Sequence, residues 1–226
     1  MSEEFVPTPV GMARLTWYPA RGSVRAVALL GHGSATGIES ADLQALADAL
    51  PPRGVTVALV TQPYRLEADR GAADEASLDL AWTAAWSAAA DTAGVAVGTG
   101  GGVPGVPGVP VIAGGRSAGA QVACRTAAEL GAHAVLALAY PLLGPGSSRE
   151  LLATSSPTLV VQGGRDPFGR PDQFPQLPPE IELVEIPSAN HTFGTGIGIP
   201  RATSMTRMTT AVTEWIDRQL SAARTP

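Results

Sequence analysis

Ser117, Asp166 and His191 follow one another along the chain in three short stretches: Gly-Arg-Ser-Ala-Gly (115–119), Gln-Gly-Gly-Arg-Asp (162–166) and Asn-His-Thr-Phe (190–193). A serine hydroxyl is a weak nucleophile until a neighbouring base takes its proton. An imidazole serves best when a carboxylate fixes its tautomer and stabilises the imidazolium. These residue types in this order point to acyl transfer, with Ser117 as nucleophile, His191 as general base and Asp166 as orienting acid.

Such residues must be brought together by the elements around them. Met12–Tyr18 alternates weakly and reads as a first strand or hairpin arm, and residues 1–11 read as an irregular N-terminal segment. The run 24–33, VRAVALLGHG, is continuously apolar, as is 54–65, GVTVALVTQPYR. Runs of this kind suit strands covered on both faces of a parallel sheet. Between them 38–54 reads as a helix, with Leu43, Leu46 and Leu50 on one stripe and Pro51 and Pro52 as its stop. Ala72–Ala93 is a second helix, in which Leu78, Trp82 and Trp86 recur at four-residue spacing. That stripe is a core face, with a ligand-stacking platform as the lesser reading.

Val109–Ala113 reads as the strand before the serine and Ala118–Leu130 as the helix after it. Three more strands lie within 133–141, 157–169 and 181–194, and Ser204–Ala222 closes the chain as a helix. The apolar face of that helix is Met208, Val212, Trp215, Ile216 and Leu220. The Val-Pro-Gly repeats of 98–108 read as a flexible loop. They lack the Gly-Lys-Ser/Thr of a phosphate loop and the G-x-G-x-x-G spacing of a dinucleotide site. Alternating strands and helices imply an α/β fold with a mostly parallel sheet, helices on both faces, one domain over 1–226 and little or no cap.

In such a sheet ligands bind at the carboxyl ends of the strands, and that rule sorts the candidates. Of the three histidines, His133 begins its strand and lies at the wrong end. His32 follows a strand but sits in a Gly-His-Gly turn, so its first role is structural. His191 follows a strand in a loop before the last helix. Asp166 follows its strand directly, with Asp172 as a substitute deeper in a Pro-rich loop. Gly115 and Gly119 supply the small residues that a sharp strand–serine–helix turn needs. A helix N-terminus at that serine favours a developing oxyanion. A second oxyanion donor is expected from the loop after an early strand, with the backbone N–H of Ser34 first and that of Gly33 second.

Two readings stand for Arg116: a side chain turned away to pair with an acid, or a contact to an anionic substrate group. Arg165 carries the same pair of readings. Tyr140 and Phe168 either line the pocket or pack loops. The net charge of −5 leaves no basic footprint for nucleic acid, and all 15 basic residues are arginine. No apolar run is long enough for a membrane span, and the acidic N-terminus lacks a signal-peptide core. The expected compartment is the cytoplasm. The one cysteine, Cys124, falls inside a helix and reads as a small buried residue. Neither a metal site nor an organic cofactor is implied.

The stretches Gly-Gly-Arg-Ser-Ala-Gly (114–119), Tyr-Pro-Leu-Leu-Gly-Pro-Gly (140–146), Val-Gln-Gly-Gly-Arg-Asp-Pro-Phe-Gly (161–169) and Asn-His-Thr-Phe (190–193) resemble the α/β-hydrolase superfamily. The branch most resembled is that of the dienelactone hydrolases, and within it the subset whose serine turn reads Gly-Gly-Arg-Ser. The resemblance runs from about residue 12 onward. It implies an α/β-hydrolase fold, Ser117, His191 and Asp166 as a triad, and the Ala118 N–H as one oxyanion donor. The implied function is a carboxylesterase-like serine hydrolase acting on a small ester, thioester or lactone. Serine stands at 117 where dienelactone hydrolases carry cysteine. The same subset includes a subunit of a nuclear acetyltransferase complex, which implies a protein-interaction module as the alternative.

Overall fold

Five apolar runs form the buried parallel centre of one eight-stranded sheet. The computed structural model describes residues 1–67, 73–93, 108–144, 146–196 and 200–222. These central strands are β3 (Ala26–Gly31), β4 (Val55–Thr61), β5 (Val111–Arg116), β6 (Ala134–Leu138) and β7 (Thr158–Gly163), and every residue in them is buried. They run parallel, as their unbroken apolar character requires. β8 (Ile181–Ile186) adds a parallel edge strand, buried at its two ends and partly or fully exposed between them.

The opposite edge corrects the sequence reading. Residues 1–11 are not irregular: β1 (Ser2–Thr8) pairs antiparallel along its whole length with β2 (Gly11–Tyr18), which pairs antiparallel with β4. Val6 packs inward and Glu4 accepts a hydrogen bond from the Trp17 indole at 2.9 Å. Pro7 lacks a donor, which an outermost strand tolerates. The sheet order is β1-β2-β4-β3-β5-β6-β7-β8.

Helices cover both faces. Along β3, Val27 and Leu29 join one core cluster while Ala26, Ala28 and Leu30 join the other, as strand alternation dictates. The first cluster is completed by α3 (Glu75–Ala93), α4 (Ala118–Leu130) and α5 (Ser147–Leu152), through Trp82, Trp86, Val122 and Leu151. Trp82 is fully buried, so the tryptophan stripe is core and not a ligand platform. Cys124 belongs to the same cluster, where burial pushes its thiol pKa well up. The second cluster is completed by α1 (Ala41–Ala49) and α6 (Arg201–Ala222), through Leu43, Leu46, Met208, Val212 and Trp215. A single turn, α2 (Pro63–Leu66), follows β4. The short helix α5 lies between β6 and β7, where the sequence reading places no element. The Gly/Pro-rich loop of 98–108 lies, all but Gly108, outside the described residues.

The chain leaves β3 for β4 on one side, then crosses back to place β5 on the other. The connections after β3 and β5 lead to α1 and α4 on opposite faces of the sheet, the kind of switch point at which open α/β sheets place a ligand.

Candidate active site

β5 runs three residues further than its apolar run suggests, through Gly114, Gly115 and Arg116, and meets α4 with only Ser117 between them. Ser117 sits at φ 52° and ψ −118°, in a region that non-glycine residues rarely adopt. Such strain costs on the order of 1–3 kcal/mol and persists where the surroundings over-determine it. Here the Ser117 N–H donates to the Leu138 carbonyl at 2.9 Å, and its own carbonyl accepts from Ala120 at 2.9 Å. The flanking glycines are a steric requirement. A Cβ on Gly115 would lie 2.5 Å from the Gly31 oxygen, and one on Gly119 would lie 2.5 Å from the Gly31 carbonyl group. Gly31, at the end of β3, is the third member of this contact.

His191 lies in the loop after β8 and reaches back to the elbow. Its Nε2 is 3.0 Å from Ser117 Oγ and its Nδ1 is 2.8 Å from Asp166 Oδ2. The hydrogen-bond network assigns the ring proton to Nδ1, facing the carboxylate, and leaves Nε2 to accept from the hydroxyl. The structure thus brings together Ser117, His191 and Asp166, in a geometry that can move a proton off the serine. The loop carrying His191 is fixed on both sides. Asn190 Oδ1 accepts from the backbone of Thr192 and Gly194, and Phe193, at φ 52°, is fully buried.

Asp166 is 1% exposed, and its carboxylate has three partners. Oδ1 accepts from the Phe168 N–H at 2.8 Å, and Oδ2 accepts from Gln162 Nε2 at 3.0 Å besides His191. Asp172, the substitute candidate, is instead paired with Arg170 at 3.1 Å on the surface. Gln162 was not singled out from the sequence. It is fully buried at the end of β7, where its Oε1 also accepts from the Tyr140 N–H at 2.8 Å. The available signal was a lone amide inside an apolar run, since a polar group buried on both faces must find partners.

The loop after β3 lies over the serine. Gly33 is buried, and a Cβ there would sit 3.3 Å from Ser117 Cβ. Ser34 is exposed, and its carbonyl accepts from the Tyr64 hydroxyl at 3.3 Å. Ala118 is the first residue of α4, so its N–H has no intrahelical acceptor. His32 has the structural role expected of it. Its ring bridges the Gly33 carbonyl at 2.8 Å and the Gln62 N–H at 3.1 Å, and burial lowers its pKa.

Three further candidates resolve differently. Arg116 takes the first of its two readings and pairs with an acid. Its side chain is buried and pairs with Asp42 at 2.9 Å, because the strand directs it under the loop after β3. Tyr140 does not line a pocket. It is fully buried, and its hydroxyl donates to the Ser147 carbonyl at 2.8 Å, since Ala139 at φ 47° turns the chain inward. Phe168 lies beside the histidine. It is 52% exposed, and its ring lies 4.5 Å from the His191 imidazole. Exposed Arg165 lines an open cavity of about 320 Å³ with Leu143, Asp166, Pro167, Arg170 and Gln173. His133 precedes β6 and lies at the far end of the sheet. Among the described residues no group of three His, Cys, Asp or Glu side chains is placed to hold a metal ion. No described helix is long and apolar enough to cross a membrane.

Comparison with known proteins agrees with this architecture. An alpha/beta serine hydrolase homologue from Coxiella burnetii superposes with a TM-score of 0.72 at 16% identity, over 94% of this chain and 96% of that one. A serine hydrolase without lid from Xanthomonas campestris gives a TM-score of 0.70 at 20% identity, over 95% and 94%. A dienelactone hydrolase from Anabaena variabilis gives 0.72 at 21% identity, over 96% of each chain. No curated protein sequence matches the chain. The sequence model of the alpha/beta hydrolase domain matches residues 24–217, a span that holds the serine turn, the acid and the histidine. The chain therefore belongs to the alpha/beta-hydrolase family.

Proposed function

We propose that this protein is a serine hydrolase of the esterase type, acting on a small ester, thioester or lactone. The observation that carries this reading is the unbroken hydrogen-bond relay from Ser117 Oγ through His191 to Asp166, at 3.0 and 2.8 Å. His191 Nε2 takes the Ser117 proton as Oγ adds to the substrate carbonyl carbon. The resulting oxyanion is held by the Ala118 N–H and by an N–H of the Gly33–Ser34 loop. The tetrahedral intermediate collapses as the imidazolium protonates the departing alcohol, thiol or lactone oxygen, leaving an acyl-serine. Water, deprotonated by His191, then releases the carboxylic acid and restores Ser117. Asp166 keeps the imidazole in one tautomer and stabilises its cationic form throughout.

The wild-type protein is tested with a fluorophosphonate, followed by intact mass, beside Ser117→Ala and His191→Ala. One adduct on the wild type, absent from both variants, is expected. A folded wild type that takes no adduct favours the interaction-module alternative and overturns the hydrolase reading.

A further inference from the structure

We infer that Arg116 is a positioning residue that holds the histidine loop and the oxyanion loop in one register, acting on the reaction only through them. This rests on the hydrolase reading above. Arg116 immediately precedes Ser117, and its guanidinium spends its donors on three different segments. Nε donates to Asp42 Oδ2 on α1 at 2.9 Å, Nη1 to Thr36 Oγ1 at 3.1 Å, and Nη2 to the His191 carbonyl at 2.7 Å. A planar fork of fixed donors suits three fixed acceptors, which a single ammonium cannot reproduce.

Each contact reaches a part the reaction needs. The His191 carbonyl belongs to the residue whose imidazole faces Ser117. Thr36 belongs to the loop of Gly33 and Ser34, and its N–H donates to the Gly33 carbonyl at 3.3 Å. Gly33 also makes room for the guanidinium, since a Cβ there would lie 2.7 Å from Arg116 Nη1. Asp42 anchors the assembly, its other oxygen accepting from the Leu43 N–H at 2.9 Å. The Arg116 and Asp42 side chains are 4% and 2% exposed. An ion pair this deep adds little stability over a well-packed apolar pair, so geometry is the better account of it here.

The test separates holding the fold from holding the site. Removing Arg116 alone strands a buried carboxylate and lowers stability whatever its role. The informative variants are therefore the double Arg116→Met/Asp42→Leu, which removes both charges, and Arg116→Lys, which keeps the charge but not the fork. Each is assayed on p-nitrophenyl acetate for kcat and KM, with the thermal midpoint measured beside it. The double variant is expected to melt near the wild type while kcat falls about 10²-fold, the scale of a loosened active-site geometry. KM should move less than about threefold, because the guanidinium touches no substrate. Arg116→Lys is expected to fold and to lose about 10-fold in kcat. Wild-type kcat in either folded variant overturns the inference while leaving the hydrolase reading intact. A wild type that neither labels nor turns over ester overturns both.

Discussion

Gln162 donates from Nε2 to Asp166 Oδ2 across 3.0 Å and, through the same amide, fixes the turn after β6. Its Nε2 also lies 3.1 Å from the Tyr140 carbonyl and 2.7 Å from that of Gly169, while its Oε1 takes the Tyr140 N–H. One amide therefore sets both the acid and the loop beneath it. Gln162→Leu leaves several buried polar groups without partners, each costing about 1–3 kcal/mol. A drop of about 3 kcal/mol in urea-unfolding stability is expected, with a loss of about 10-fold in kcat. Gln162→Glu should also fail to rescue kcat, since it places a second carboxylate against Asp166. Unchanged activity in the leucine variant would mean that Asp166 needs no support beyond the Phe168 N–H.

Ser117 tests whether its backbone is strained for function. At φ 52° a glycine is at ease where any L side chain is not. Ser117→Ala removes the hydroxyl and keeps the strain, and Ser117→Gly removes both. Both variants should lose on the order of 10⁶ in turnover. The glycine variant should nonetheless unfold at higher urea than the alanine variant, by about 1 kcal/mol after its extra chain entropy is counted. Equal midpoints would show that the turn costs the fold nothing.

The elbow glycines predict the opposite sign. A Cβ on Gly119 would meet the backbone of Gly31 at 2.5 Å, and no side-chain rotation relieves a backbone clash. Gly119→Ala should destabilise by about 1–3 kcal/mol and displace Ser117 enough to remove most labelling by a fluorophosphonate. Retained stability and labelling would show that β3 and α4 can separate freely.

The serine turn, the acid and the histidine were legible because strand order fixes which loops share one end of a parallel sheet. Which way a side chain points from a strand end is a different question. Tyr140 follows β6 at the correct end, yet Ala139 at φ 47° turns it into the core. Arg116 had two readings because its acid partner, Asp42, lies 74 residues away and no local pattern links them. β1 was missed because Pro7 interrupts its alternation and only an edge position tolerates that. Gly31 looked like turn punctuation, but its packing role appears only when β5 and α4 are laid against it.

Phe168 is the aromatic most exposed at the site, its ring tilted 52° to the His191 imidazole with centroids 4.5 Å apart. An exposed side chain contributes little to the fold, so Phe168→Ala should change stability by less than about 0.5 kcal/mol. It should still matter for turnover, because the ring packs against the imidazole that must move the proton. A fall of about 10-fold in kcat/KM on p-nitrophenyl butyrate is expected. Unchanged kcat/KM would return Phe168 to the role of packing its own loop.

His32 gives a pH dependence with a definite sign. Burial lowers its pKa below the ordinary 6.5, and the bond to the Gly33 carbonyl only partly opposes that. The folded state therefore holds fewer protons on this ring than the unfolded chain does, at pH values between the two pKa values. Stability from this group is complete above the unfolded pKa, near 6.5, and is lost progressively as pH falls toward the folded value. The neutral ring is also what the geometry needs, since Nε2 must accept the Gln62 N–H. His32→Gln should keep an acceptor in place while flattening the stability slope below about pH 6.5. The measurement is urea unfolding of both proteins across that range. Parallel slopes would mean that His32 does not carry the dependence, and that protonating it leaves the loop over Ser117 undisturbed.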